Sequence, residues 1–230
     1  MSPFQTASLV FVVAAPAVVR TFDSQPRSAH LTRHCERALA VALILAFLGE
    51  LGAKIADGTF TPVLALPMQL CDWALFAISA ALWWRWRAGF DVAYFWGLAG
   101  TAQALFTPAV ASDLAWYRLF IFFFIHAGIV AGVVHLLLTG RFRPEWPRSI
   151  VRVLIASEVY LVAALATNAA TGGNYGFLSH QPATPSMLDL FSHTHWLYVL
   201  ELNLAAWLFF AVLYVPWLIA DAARARRRAS

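Results

Sequence analysis

Polar residues stand inside long apolar runs of this 230-residue chain: Glu50, Gln69, Cys71, Asp72, Gln103, His126, His135, Glu158, Asn168, Glu201 and Asn203. Among them, Cys71 is the one with nucleophilic chemistry, because a thiolate is a strong nucleophile that can form a covalent intermediate. Such chemistry needs a base beside the thiol. His126 is the only histidine within an apolar run at comparable depth, which makes Cys71 with His126 the one dyad the spacing offers. Each residue also has a plainer reading. A lone membrane cysteine is usually a small hydrophobe. Glu50 has Lys54 one turn on, and Glu201 and Asn203 can serve as hydrogen-bonding glue between helices. Gly128 and Gly132 form a GxxxG, a pattern of close helix packing, and His135 reads as a satisfied bundle residue.

Metal chemistry has little support. His126 and His135 are nine positions apart, about 13 Å along one helix, too far to share an ion. His193 and His195 form an HxH with no third ligand at a suitable spacing. GxSxG, HExxH and P-loop patterns are absent, so no cofactor is expected.

The elements that hold these residues follow from composition. Hydrophobic residues make up 61% of the chain and charged residues 12%, about half the charged share of a soluble domain. That much apolar surface requires lipid as the solvent, in one integral membrane domain spanning residues 1–230. Seven apolar runs suffice for an all-α polytopic bundle of seven helices: Ala7–Val19, Ala38–Ala56, Leu64–Trp84, Val92–Val110, Tyr117–Leu138, Ile150–Ala170 and His195–Ala220. The first is short and holds Pro16; if it does not span, six remain. The residues before it, MSPFQT, lack the basic n-region of a signal peptide.

Charge sets the expected orientation. Arginines cluster after the first, third, fifth and seventh runs, at Arg20, Arg27, Arg33, Arg37, Arg85, Arg87, Arg141, Arg143, Arg148, Arg152, Arg224, Arg226, Arg227 and Arg228. These alternate segments share one side, and only Lys54 and Arg118 fall on the other. The positive-inside rule makes the arginine side cytoplasmic, with the N-terminus outside and the C-terminus inside. Glu50, Cys71, His126, Asn168 and Glu201 then sit in the outer half of the membrane. They lie beneath a long extracytoplasmic loop, Thr171–Thr194, whose glycines and whose Pro182 and Pro185 suit a fold back over the helix ends. The basic charge flanks helices, and we expect no nucleic-acid partner.

Several stretches resemble a known family. LPMQLCDWA (Leu66–Ala74), AYFWGLAGTAQALFTP (Ala93–Pro108), FFFIHAG (Phe122–Gly128), NYGFLSHQP (Asn174–Pro182), SMLD (Ser186–Asp189) and LYVLEL (Leu197–Leu202) are similar to the YwaF-like bacterial membrane proteins. Those are in turn similar to the eukaryotic transmembrane-protein-164 family, described as acyltransferases that move fatty acyl groups onto ether phospholipids. The resemblance implies that Cys71 accepts the acyl group and that His126 is its base. Membrane phospholipid would then be both acyl donor and acceptor. Gln181 stands where the bacterial pattern has Lys, and FSHTHW (Phe191–Trp196) where it has a Gly-Pro-Trp-Pro-Trp run. Gln69, Asn174 and Tyr175 are the expected oxyanion or substrate contacts, and Glu201 or Glu50 the expected partner for His126. The alternative is a non-catalytic bundle that binds or transports a lipid or small molecule. Against a transporter stands the absence of repeat symmetry and broken-helix signals.

Overall fold

The computed structural model describes residues 2–23, 29–108, 110, 114–184 and 186–229. Arg27, Pro185 and Ala109, at the end of the fourth expected run, lie outside the described residues. The described residues form α1 (Pro3–Asp23), α2 (Ala29–Ala56), α3 (Leu70–Trp84), α4 (Arg87–Trp96), α5 (Gln103–Phe106), α6 (Trp116–Leu138), α7 (Arg148–Thr171) and α8 (His195–Ala229). A π-helical turn, Gly97–Thr101, joins α4 to α5, so the two run on as one bulged helix and the described residues form seven helices. The all-α architecture is as expected, and no strand occurs among the described residues.

Four helices, α2, α6, α7 and most of α8, are individually long and apolar enough to cross a membrane, whereas α1 and α3 are apolar but shorter. The centre of the bundle is α6: 67% of its apolar window is buried, against 11% for α8. The outer helices turn apolar stripes outward. Val151, Ile155, Val159 and Val162 on α7, and Leu200, Leu204, Leu208 and Val212 on α8, are all exposed. Steps of three and four place each set on one face, and such a stripe facing out is stable only against hydrocarbon.

The GxxxG is a packing device. A Cβ on Gly128 would lie 2.7 Å from Leu43 of α2, and one on Gly132 would lie 2.8 Å from Ile78 of α3. Their lack of side chains is what lets α2 and α3 close on α6. The first helix is also a full member of the bundle, since Gln5 on α1 donates from Nε2 to the carbonyls of Leu105 and Phe106 at 2.9 and 3.0 Å. Those are end carbonyls of α5 with no partner in their own helix.

Several boundaries differ from the hydropathy reading: α1 runs over Pro3–Asp23, α2 begins at Ala29 rather than Ala38, α8 continues to Ala229, and two further differences bear on the site. The third helix begins at Leu70, and Leu64–Gln69 runs as turns beside it. Pro67 lacks an amide hydrogen and keeps Leu66 out of helical geometry, so an apolar run enters the membrane end without helix. The fourth element ends at Phe106 and carries the π-turn, whose displaced Ala99 carbonyl accepts from Gln103 Nε2 at 2.6 Å.

The arginine segments do gather at one end of the bundle. Glu36 of α2 takes Arg33, Arg85 and Arg141, which come from three different segments. Nearby, Asp91 takes Arg87 and Arg152, and Asp221 takes Arg143. At the opposite end Arg118 pairs with Glu50 at 2.6 Å and with Asp57 at 3.6 Å. Salt bridges at both ends and hydrocarbon between them are the arrangement a membrane imposes.

Candidate functional site

Cys71 occupies the second position of α3, at the end of the bundle opposite the arginines. Asp72 stops the helix from fraying, accepting from the Gln69 amide at 3.0 Å. The amides of Leu70 and Cys71 are among the first-turn donors that a helix cannot satisfy from within. Cys71 is half-buried, and its sulfur lies beside its own amide and that of Asp72. Tyr160 of α7 stands close by, with its hydroxyl donating to the Met68 carbonyl at 3.1 Å. Sequence reasoning missed this tyrosine, since a Tyr in an apolar run carries no distinguishing signal.

His126 lies on α6. Its Nδ1 is 2.7 Å from the carbonyl of Phe122, which can only accept, so Nδ1 carries the proton and Nε2 holds the free lone pair. The Phe122 ring lies against the imidazole, with centroids 4.1 Å apart. α3 and α6 run in the same direction, and Ile78 packs on Gly132. Counting back seven residues on both helices sets Cys71 about level with Ile125, next to His126. A step of one residue turns His126 about 100° round the helix from Ile125. No hydrogen bond joins Cys71 to His126 among the described residues.

The other nominated residues have well-defined partners. Glu50 binds Arg118 through two contacts, at 2.6 and 3.4 Å, and stands 3.9 Å from Lys54. Glu201 accepts the Ser192 amide at 2.6 Å. The His126 ring is held by its own helix rather than by either carboxylate. Asn203 does act as glue between helices, donating to Glu158 at 3.2 Å, and His135 meets Glu36 at 3.3 Å.

The long loop folds back over this end. Tyr175 is only 1% exposed, and its hydroxyl accepts from the Leu66 amide at 3.0 Å and donates to the Pro62 carbonyl at 2.7 Å. Its backbone exchanges two hydrogen bonds with the Asn168 side chain of α7, at 2.8 and 3.0 Å. Burial pushes the Tyr175 hydroxyl above the usual tyrosine range. Asn174 organises the turn, accepting the amides of Ser179 and His180 at 2.9 and 3.2 Å and donating to the His180 carbonyl at 2.9 Å. Gln181 closes the next stretch through the carbonyls of Leu188 and Phe191. As placed, these groups shape the loop.

Gln69 differs. Its Oε1 accepts the Gly176 amide at 3.1 Å, which leaves Nε2 as the end that faces elsewhere. It lines a cavity of about 80 Å³ together with Glu50, Lys54, Leu66, Asp72 and Ile125. Sequence reasoning did not find the buried carboxylates at the arginine end, Glu36 and Asp91. It placed Glu36 in a loop and Asp91 just ahead of a span, although each has an arginine one helical turn before it.

A seven-helix bundle with outward apolar stripes and ion-paired ends defines a polytopic membrane protein. The chain belongs to the TMEM164 family, whose family model matches residues 1–214. Comparison with curated proteins and with solved structures finds no match.

Proposed function

We propose that the protein is a membrane-embedded acyltransferase or transacylase that works on phospholipid acyl chains through Cys71 and His126, from the outer leaflet. The observation that carries this reading is the first turn of α3. There a thiol sits among helix N-terminal amides beneath a folded loop, and a histidine with a bare Nε2 stands at the same level on α6.

In the first half-reaction the Cys71 proton passes to His126 Nε2 and the sulfur attacks the ester carbonyl carbon. The developing oxyanion takes the amides of Leu70 and Cys71, with Gln69 Nε2 as a side-chain donor. The bond to the glycerol oxygen breaks, and His126 returns the proton to that oxygen as the lyso-lipid leaves. In the second half the acceptor hydroxyl gives its proton to His126 and attacks the thioester, and the thiol is restored. Asn174, Tyr175, Glu201 and Glu50 support this by holding the loop and the helix ends.

The test is incubation of purified protein with acyl-labelled phospholipid, followed by mass spectrometry of the Cys71 peptide. An acyl adduct that disappears in Cys71→Ser supports the reading, as does a loss of roughly 10²–10⁴-fold in transfer for His126→Gln. Unchanged transfer in Cys71→Ser would falsify it. The missing hydrogen bond between Cys71 and His126 favours a second reading, a non-catalytic lipid-binding bundle. That reading requires Cys71→Ser to bind lipid as the parent does, with no adduct on either protein.

A further inference from the structure

At the arginine end, far from Cys71, a second cavity of about 190 Å³ opens where α1, α2, α3 and α6 meet. Its walls are apolar, from Phe11, Ala15 and Val19 on α1 and Leu39 on α2. Because α1 leans on α6 and touches α2 only sparsely, the gap between α1 and α2 is where the cleft lies.

The polar end of the cleft is unusual in its charge. Glu36 lines it with a side chain of 0% exposure, and three arginines and a histidine crowd around that carboxylate. Arg141 Nε is 2.7 Å away, Arg33 3.1 Å, His135 3.3 Å and Arg85 3.9 Å. Arg37 stands over Trp83 at 5.3 Å, near enough to act on Arg85. Among the described residues four guanidiniums gather near this one carboxylate, a local excess of positive charge. Arg33 is already committed, since besides Glu36 it donates to the end carbonyls of α3 at Leu82 and Trp83. Arg85 is not, because its side chain is 45% exposed and its ion pair with Glu36, at 3.9 Å, is the longest of these contacts. Burial together with the guanidiniums of Arg141, Arg33 and Arg37 pushes Arg85 below the usual arginine range, against the pull of Glu36. Cations held this close beside hydrocarbon call for a counter-anion that is itself part of the membrane.

We propose that this cleft binds one anionic phospholipid from the leaflet on the arginine side. Arg85 and Arg37 hold its phosphodiester, and part of one acyl chain lies between α1 and α2. Arginine suits a phosphodiester because its planar fork gives two parallel charge-assisted hydrogen bonds. The apolar walls accept the chain that a free phosphate lacks. The proposal is independent of acyl transfer, which would take place at the other end of the bundle.

Cys35 lines the same cavity and is exposed, so it reports on occupancy. The full chain is placed in nanodiscs of phosphatidylcholine, with and without phosphatidylglycerol, and in phosphatidylcholine with added inorganic phosphate. Two quantities are read: the rate at which a water-soluble maleimide labels the Cys35 peptide, and Tm. Phosphatidylglycerol is expected to slow labelling severalfold and to raise Tm by roughly 3 °C, whereas inorganic phosphate does neither. Arg85→Gln removes the charge partner and Ala15→Trp fills the cleft, so each abolishes both effects. Val19→Trp takes the place of Ala15→Trp if that variant does not fold. Equal protection by inorganic phosphate overturns the lipid assignment in favour of a free-anion site. Full protection by phosphatidylglycerol in the tryptophan variant overturns it in favour of adsorption at the surface. Absence of any phosphatidylglycerol effect overturns it outright.

Discussion

The Gly176 amide donates to Gln69 Oε1 at 3.1 Å, tying the loop to the residue two positions before Cys71. Gly176 is there because nothing else fits. Its φ is +66°, a left-handed conformation that costs other residues, and a Cβ would lie 2.5 Å from the Tyr160 hydroxyl. Gly176→Ala is therefore expected to lower stability by about 2–4 kcal/mol, from strain and displacement of Tyr160 together. Thermal unfolding in detergent should show a Tm roughly 5–10 °C lower. An unchanged Tm would mean that the loop is not anchored through this residue.

The opposite end offers a sharper electrostatic test. Asp91 is fully buried, and it holds Arg152 at 2.6 Å and the Ser149 hydroxyl at 2.8 Å. Removing one partner of a buried pair strands the other, while removing both need cost little. We expect Arg152→Met to destabilise by about 3 kcal/mol, and Asp91→Leu with Arg152→Met to recover most of it. A double variant as unstable as the single one would show that Ser149 and Arg87, rather than the ion pair, carry the junction.

Much of this fold was legible in the sequence, for physical reasons that can be named. Twenty-residue apolar runs have one stable form in lipid, so α2, α6, α7 and α8 declare themselves. Arginines alternate from segment to segment, and they meet at Glu36 and Asp91 as that alternation requires. Hydropathy is blind to backbone detail, however. It counts Leu64–Gln69 as membrane-like and cannot see that Pro67 keeps this stretch from being helix. It also passes over the extra residue that makes Gly97–Thr101 a π-turn. The site was legible as residue types at a shared depth, but not as partners. Depth along a helix fixes level and leaves the face open, and so Glu50 turns out to bind Arg118, and Glu201 the Ser192 amide.

Tyr175 makes the anchoring of the loop sensitive to pH. Its hydroxyl is buried and donates to the Pro62 carbonyl, so the neutral form is favoured and the folded pKa lies above the unfolded value near 10. With the folded value raised, the contribution is complete below pH 10 and declines as pH rises above it. Tm measured from about pH 8 to pH 11 should fall more steeply in the parent than in Tyr175→Phe, which has no proton to lose there. Parallel curves would show that the hydroxyl is not held as a donor.

Orientation is the prediction on which the outer-leaflet assignment rests. Fourteen of the 16 basic residues belong to the arginine segments, and translocating such segments is what the positive-inside rule forbids. On that rule we expect the loop that covers Cys71 to be extracytoplasmic, and Cys35, at the arginine end of α2, to face the cytoplasm. Both ends can be probed in cells with a membrane-impermeant maleimide. Cys35 should label only after permeabilisation. Ala183→Cys, at an exposed loop position, should label in intact cells when Cys35 is replaced by Ser. Cys71 stays in place in both proteins as a half-buried internal reference. A reporter fused after α8 should read cytoplasmic, because α8 ends on the arginine side through the Arg143–Asp221 bridge. If Cys35 labels in intact cells and Ala183→Cys does not, the bundle is inverted. Acyl transfer would then draw on the cytoplasmic leaflet, and the anionic-lipid cleft would open to the outer one.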